Sequence, residues 1–146
     1  MKFKLPTDYP IGDSYGVRGK SWLWHLEGDK WVQGKDAEGF GNHRGYDFLT
    51  PIGTPIRSPI DAIVMKVGYE NPENEKQGFG LRVILCSDGF RLFFGHLSHI
   101  QVVDNQKIKA GTVIGQSGNS GRTTGPHLHV ELRDMTNNSL PIEWEA

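Results

Sequence analysis

The sequence has little of three features that would each define a class of protein. It contains one cysteine, Cys86, among 146 residues, and a single thiol cannot form an internal disulfide. Cys86 lies in an apolar run, residues 81–86, and we expect it in the core because free cysteine is among the most often buried residues. No stretch approaches the roughly 18 to 20 apolar residues that a membrane span needs, so we expect no membrane insertion.

An excess of charge of one sign is also absent. Lysine and arginine number 16 against 17 aspartates and glutamates, which gives a formal net charge of -1. Such a balance favours neither a nucleic acid nor an anionic membrane surface as partner. Residues 1–10 include two lysines but no apolar segment and no small-residue cleavage site, so no secretion signal is visible.

Glycine and proline, by contrast, are plentiful, with 19 and 8 copies. They separate short runs of β-branched and aromatic residues, which is typical of an all-β domain with many turns. This spacing indicates an antiparallel sheet or sandwich rather than alternating strands and helices. The predicted strands are Tyr46 to Leu49, Ile60 to Val67, Gly80 to Cys86, Phe90 to His96 and Gly125 to Leu132.

Two further segments have predicted roles in this architecture. Residues 22–26 and 30–32 form a possible hairpin around a Gly-Asp turn, followed by a polar loop at 34–41. Residues 68–78 are rich in polar and turn-forming residues, which predicts a mobile surface loop suited to form one wall of a groove.

Histidines at strand ends suggest where chemistry occurs. In Gly125-Pro126-His127-Leu128-His129, alternate residues of a strand point to one face, so His127 and His129 project together. Both imidazoles can then bind one ion, or one can bind it while the other contacts the ion's water. Two exposed histidines on a polar strand face remain the alternative.

A second pair, His43 and Asp47, lies four positions apart. An extended chain would separate their Cα atoms by roughly 13 Å, too far for both side chains to reach one metal comfortably. Gly45 lies between them and permits the bend that brings them together. The alternative is a surface histidine near a turn aspartate.

His96 ends an aromatic strand beside a glycine and is suited to proton transfer, although a hydrogen-bonded histidine at a sheet edge is the simpler interpretation. The combination of these segments is more informative than each alone. Two histidines and one carboxylate leave a tetrahedral zinc with one position for water, as catalytic sites require.

Together these segments resemble the lysostaphin-type zinc endopeptidases, which cut peptide cross-bridges of bacterial peptidoglycan. His43 to Ile56 is similar to the family's HxGxD segment and the sequence after it, Phe94 to Leu97 to its YxHL strand, and Gly118 to Glu131 to its glycine-rich turn and GPHLHFE motif. The similarity covers about residues 41–135. Phe94 in place of tyrosine and Ser120 and Thr123 in the glycine-rich turn are modest departures.

The resemblance implies a duplicated hybrid motif fold, with a loop-walled active-site groove across the sheet. It implies one Zn²⁺ held by His43, Asp47 and His129, with His96 and His127 as the catalytic pair. It further implies an endopeptidase that hydrolyses peptidoglycan stem peptides or cross-bridges by metal-activated water. We expect residues 1–146 to form a single, monomeric catalytic domain, with 41–135 as its core and the Trp-rich residues 1–40 packed on it.

Alternative functions remain at this stage. One is an inactive module of the same fold that binds cell wall or activates a partner hydrolase, and another is a metallopeptidase with a different substrate. Trp22, Trp24 and Trp31 either pack in the hairpin or line the groove. The resemblance implies action on the cell wall, in the periplasm or outside the cell. Because no secretion signal is visible, this suggests a phage lysis or virion protein or an excised mature domain.

Overall fold

The computed structural model describes residues 2–13, 16–17, 24–27, 29–33 and 42–145. In this part of the chain all regular structure is β-strand, and no helix is present that is long and apolar enough to cross a membrane. The strands, numbered in chain order, are β1 Lys2–Phe3, β2 Ile11–Asp13, β3 Gly16–Val17, β4 Trp24–Glu27, β5 Lys30–Gln33, β6 Asn42–His43, β7 Tyr46–Phe48, β8 Pro55–Arg57, β9 Ala62–Tyr69, β10 Leu81–Ser87, β11 Phe90–Ile100, β12 Lys107–Ile108, β13 Val113–Ser117, β14 Leu128–Asp134, β15 Ser139–Leu140 and β16 Glu143–Trp144.

The largest sheet has the strand order β12-β9-β10-β11-β14-β7-β2, with antiparallel pairing throughout. Strand β11 is central, because it pairs with β10 along one edge and with β14 and then β13 along the other. The predicted all-β, antiparallel fold is therefore confirmed. Short connections between neighbouring strands explain why turn residues are so frequent in the sequence.

The core lies beneath this sheet and consists of alternate residues of its strands. Phe48, Val83, Leu85, Leu128 and Val130 are all fully buried, which is the inward half of a period-2 pattern. Cys86 follows Leu85 and therefore lies on the opposite face of β10, where it is only half-buried. The prediction that Cys86 belongs to the core was wrong for this reason.

The predicted hairpin is present, since β4 and β5 pair in antiparallel register from Trp24 opposite Gln33 to Glu27 opposite Lys30. Trp22, the side chains of Trp24 and Trp31, and the polar loop at 34–41 lie outside the described residues. Strand β9 continues through Tyr69. The predicted surface loop therefore begins later than expected, and its exposed part is residues 72–77.

The two ends of the described chain meet on the core. Strand β1 pairs in parallel with β16, and Phe3 is 4% exposed. The Trp144 ring makes edge contacts with Phe3, Tyr46 and Phe48 at centroid distances of 6.3, 5.5 and 5.5 Å. The Tyr46 hydroxyl donates to the carbonyl of Ile142 at 3.1 Å and accepts from its amide at 2.7 Å. Strand β7 is thereby fixed from the core side.

Candidate metal centre and groove

Strand β14 presents a polar face and an apolar face, as its sequence alternation predicts. Leu128, Val130 and Leu132 are buried in the core. His127 and His129 instead approach one carboxylate, that of Asp47, with His127 Nε2 at 3.6 Å and His129 Nδ1 at 2.7 Å from the same oxygen. The prediction that the two histidines project together is confirmed.

The backbone between His43 and Asp47 leaves the strand conformation at residues 44 and 45, so β6 and β7 are separate strands. This break brings His43 Nε2 within 3.3 Å of Asp47 Oδ2. Gly45 is required by close packing, since a Cβ there would lie 2.9 Å from the His129 ring and closer still to the Val130 carbonyl oxygen. The expected bend is therefore present, and glycine permits it by its small size.

His43, Asp47 and His129 form a compact and largely enclosed cluster. One potential ligand atom from each lies within 4.8 Å of the other two, and their side chains are 5%, 15% and 12% exposed. The cluster joins β6, β7 and β14, and β7 pairs with β14 so that Asp47 lies directly opposite His129. Residues 82 positions apart in sequence are thus fixed side by side by strand register.

Asp47 and His129 shift each other's pKa in opposite directions. Burial acts to raise the pKa of Asp47, but hydrogen bonds and charge from His129, with His43 and His127, hold it well below its usual value. Burial likewise acts to lower the pKa of His129, yet the hydrogen bond and charge of Asp47, followed by those of Glu131, raise it to about 9. Asp47 and His129 therefore form a buried ion pair near neutral pH.

His96 lies at an irregular point of β11. Its φ is +62°, a left-handed conformation that is uncommon for a non-glycine residue and frequent at functional sites. Strand β11 pairs with β14 up to Gly95 and with β13 from Leu97 onwards. The change of partner at His96 turns its ring toward His127, with centroids 4.6 Å apart.

Backbone carbonyls orient both of these imidazoles. His96 Nδ1 donates to the Ser120 carbonyl at 2.7 Å, and His127 Nδ1 donates to the Gly125 carbonyl at 2.9 Å. Each ring therefore carries its lone pair on Nε2 when neutral. Burial, followed by the charges of His127 and His129, lowers the pKa of His96 to about 3, so His96 is a neutral hydrogen-bond acceptor near neutral pH.

Two loops form the walls of an open cleft of about 250 Å³ over this cluster. The loop after β9 contributes Glu70, Gly78 and Phe79, and the loop before β14 contributes Arg122. The loops are joined directly, since Gly121 N donates to Glu75 O at 2.8 Å and Arg122 N to Gly78 O at 2.9 Å. The predicted groove wall after β9 is therefore present, and it is connected to a second loop.

Glu131 was missed by the sequence analysis. It is 3% exposed, and its Oε1 lies 3.0 Å from His129 Nε2. The sequence contained a usable signal, because Glu131 follows His129 by two positions and therefore shares its strand face. A carboxylate beside a histidine ligand is also a common arrangement in metal sites.

Comparison with known proteins places this geometry in a family. Residues 41–141 match the model of Peptidase family M23. The chain is 39% identical over 99 residues to glycyl-glycine endopeptidase ALE-1 of Staphylococcus capitis, which is 66% of this chain and 25% of that protein. It is 41% identical over 90 residues to peptidoglycan DD-endopeptidase ShyA of Vibrio cholerae, covering 62% of this chain and 20% of ShyA. The chain thus spans a quarter or less of these relatives.

Solved structures show the same fold. The catalytic domain of the prophage-encoded M23 protein EnpA from Enterococcus faecalis has a TM-score of 0.70 and 28% identity, covering 92% of this chain and 88% of that one. The catalytic domain of lysostaphin from Staphylococcus simulans has a TM-score of 0.65 and 29% identity, covering 87% and 81%. The resemblance predicted from three sequence motifs is confirmed, and the chain belongs to peptidase family M23.

Proposed function

We propose that this protein is a zinc-dependent endopeptidase that hydrolyses peptide cross-links of bacterial peptidoglycan. The observation that carries the proposal is the convergence of His43, Asp47 and His129 on one point, with His96 and His127 beside it. All five side chains belong to one chain, so a monomer suffices for the chemistry. Action on the cell wall, in the periplasm or outside the cell, follows from this substrate.

The three clustered side chains fit a zinc ion. In a tetrahedral site with bonds near 2.0 to 2.1 Å, neighbouring ligand atoms lie about 3.4 Å apart. His43 Nε2 and Asp47 Oδ2 are 3.3 Å apart, whereas His129 Nδ1 and Asp47 Oδ1 are at hydrogen-bond distance, 2.7 Å. Small side-chain rotations cover that difference. Two imidazoles and one carboxylate are also a ligand set that leaves a position for water.

The chemistry that zinc supplies in such a site is a lowered pKa of its bound water and polarisation of the substrate carbonyl. His96 and His127 present their Nε2 atoms from one side of the cluster, because carbonyls of Ser120 and Gly125 hold their Nδ1 atoms. We assign this pair to accepting the proton of the attacking water at Nε2, after which the protonated imidazole stabilises the oxyanion that develops on the substrate.

The substrate class is supported by relatives whose names state their activity, a glycyl-glycine endopeptidase and peptidoglycan DD-endopeptidases. The cleft is open, and two loops that are hydrogen-bonded to each other line it. An extended peptide fits such a groove better than a small metabolite does.

The decisive experiment measures zinc content and turnover on the same preparation. Protein with one equivalent of zinc should reduce the turbidity of a peptidoglycan suspension and release new amino groups, and a chelator should stop both. Defined muropeptides with mass spectrometry of the new termini then identify the bond. If zinc-loaded protein releases no amino groups from walls of several cross-link types, a non-catalytic wall-binding or hydrolase-activating module is the better description.

Single substitutions test the division of roles. His129→Ala should abolish zinc binding because it removes a ligand from the cluster. His96→Ala should leave zinc bound and lower turnover by about 10² to 10⁴-fold, the usual contribution of a general acid or base. Metal analysis that finds zinc lost equally from both variants would contradict this assignment.

A further inference from the structure

Glu131 is a buried carboxylate that the proposed reaction does not use. It lies on the same face of β14 as His129 and Arg133, whereas Val130 and Leu132 between them face the core. A buried charge is costly unless it is paired and hydrogen-bonded. The contacts of Glu131 should therefore reveal what it does.

Each carboxylate oxygen of Glu131 has a distinct set of partners. Oε1 lies 3.0 Å from His129 Nε2. Oε2 accepts from Arg133 Nε and lies 4.0 Å from Arg44 Nε. The positive charges of Arg133 and Arg44 thus lie beside Oε2, whereas Oε1 faces the imidazole of a clustered histidine.

Arg133 is itself held in place. Its guanidinium lies 4.3 Å from the centroid of the Phe93 ring, a cation–π contact, and its Nη1 donates to Asn137 Oδ1 at 3.0 Å. Arg133 thus rests on a buried ring and is fixed at its far end. This support holds Glu131 in a fixed orientation.

We infer that Glu131 is a positioning residue that sets the tautomer and ring orientation of His129 for metal binding, an inference that rests on the proposed zinc site. An ionised carboxylate only accepts hydrogen bonds, so the facing Nε2 must carry the proton. Nδ1 donates to Asp47 at 2.7 Å in the metal-free protein, so Nδ1 is the nitrogen that gives up its proton when zinc binds and then offers its lone pair to the ion. Hydrogen bonds of this kind orient histidine ligands and increase their basicity.

The test compares zinc affinities of Glu131→Leu and Glu131→Gln, measured by competition with a chromophoric chelator. Glu131→Leu removes the acceptor and should weaken zinc binding by about 10 to 100-fold. Glu131→Gln keeps an oxygen that accepts from Nε2 and should recover most of that affinity. Cobalt substitution should give a changed visible spectrum for the Leu variant and a native-like one for the Gln variant.

Glu70→Leu is the matched control. Glu70 also lines the cleft and is paired with an arginine, Arg82, at 3.5 Å, but it lies in the loop after β9, where its Oε1 accepts from the Phe79 amide at 3.4 Å. Its zinc affinity should equal that of the native protein. If Glu70→Leu weakens zinc binding as much as Glu131→Leu does, the effect is general groove charge and the inference is wrong.

Tautomer-sensitive ¹⁵N NMR of the native, zinc-loaded protein tests the inference even if Glu131→Leu does not fold. It should find His129 protonated at Nε2 and ligating through Nδ1, and ligation through Nε2 would overturn the inference. Native-like affinity in a folded Glu131→Leu variant, or equal losses in the Leu and Gln variants, would do the same. Failure of the native protein to bind zinc would instead refute the proposed function.

Discussion

Gly45 lies between His43 and Asp47, at a point where the backbone packs closely against β14. Its hydrogen faces the Val130 carbonyl oxygen and the His129 ring, and a methyl group has no room there. Asp47 and His129 also share a hydrogen bond across this contact. The geometry of the cluster therefore depends on the small size of Gly45 and on the protonation of His129.

Gly45→Ala should lose zinc affinity and stability together, because the added methyl group pushes β7 away from β14 and separates His43 and Asp47 from His129. We expect a destabilisation of about 1 to 3 kcal/mol, the usual cost of overpacking. Zinc titration and urea unfolding in the presence of a chelator measure the two effects.

Gly89→Ala serves as the control for this substitution. It lies in the turn before β11 with open space around its Cβ position and φ +82°, so it should cost backbone strain alone and leave zinc binding unchanged. A Gly45→Ala variant with native zinc affinity would show that the contact with His129 is unimportant.

The protonation of His129 predicts a pH effect in protein freed of metal by a chelator. The pKa of His129 is raised to about 9, above its unfolded value near 6.5. Its contribution to stability is therefore fully present below about pH 6.5 and is lost as the pH rises through about 9. Zinc must displace this proton, so zinc uptake at pH 7.5 should release about one proton.

NMR titration and calorimetry check this prediction. The His129 ring signals should titrate near pH 9 in metal-free protein, whereas those of His96, whose pKa is about 3, should not move between pH 5 and 8. Calorimetry in buffers of different ionisation enthalpy counts the protons released. A His129 midpoint near 6.5, or zinc uptake without proton release, would contradict the expected coupling to Asp47.

At the level of elements, the groove depends on how the loop after β9 and the loop before β14 are joined. Gly80 and Gly121 are both in left-handed conformations, with φ of +64° and +78°, and their backbones touch. Ser120 connects the loops to the sheet, since its hydroxyl donates to Leu97 O at 2.6 Å and accepts from Leu81 N at 3.0 Å. The carbonyl of the same serine orients His96.

Gly121→Ala should therefore reduce catalysis without removing the metal. A Cβ there would lie 2.7 Å from the Phe79 carbonyl carbon, which forces the loops apart and shifts the Ser120 carbonyl away from His96. We expect kcat/KM to fall by up to about 10²-fold, as displacements near 1 Å in an active site do. Zinc affinity should persist because the three ligand candidates lie on β6, β7 and β14.

Gly111→Ala is the comparison for this prediction, since Gly111 has φ +92° and open space beyond its Cα. Steady-state kinetics and metal analysis of both variants are the measurements required. Unchanged kcat/KM for Gly121→Ala would mean that the joined loops do not orient His96.

For the whole molecule, the contact between the chain ends supports the cluster from the opposite side of β7. Tyr46 and Phe48 face the core, where Trp144 packs against both rings, and Asp47 between them faces the cleft side. The parallel pair β1 and β16 covers this part of the core. Strand β7 thus has its core-packing side chains on one face and Asp47, a candidate metal ligand, on the other.

Trp144→Ala should lower the free energy of unfolding by about 2 to 4 kcal/mol, near the range for large aromatic truncations. Zinc affinity of the folded variant should stay close to native, because Asp47 faces away from the site of the change. Met135→Ala is the control, since Met135 is 58% exposed and its truncation should cost little. Urea unfolding in the presence of a chelator measures the stability, and zinc titration measures the affinity. An unchanged unfolding midpoint for Trp144→Ala would contradict the prediction.

Local sequence was sufficient for much of this protein. Alternation in residues 127–132 determined which side chains of β14 face the core, because a strand repeats every two residues. The same rule indicated that His127 and His129 project together, and Gly45 indicated a bend between His43 and Asp47. Turn residues between short apolar runs gave the all-β class and the approximate strand positions.

The contacts between residues far apart in sequence were determined only by the tertiary structure. The Ser120 carbonyl reaches His96 from 24 positions away, and Asp47 meets His129 across 82. The left-handed conformation of His96 arises where β11 exchanges one partner strand for another. Strand β1 closes on β16 from the far end of the chain. Local propensity cannot specify such contacts, because they depend on strand register and on which strands become neighbours, and burial across the whole sheet selects both.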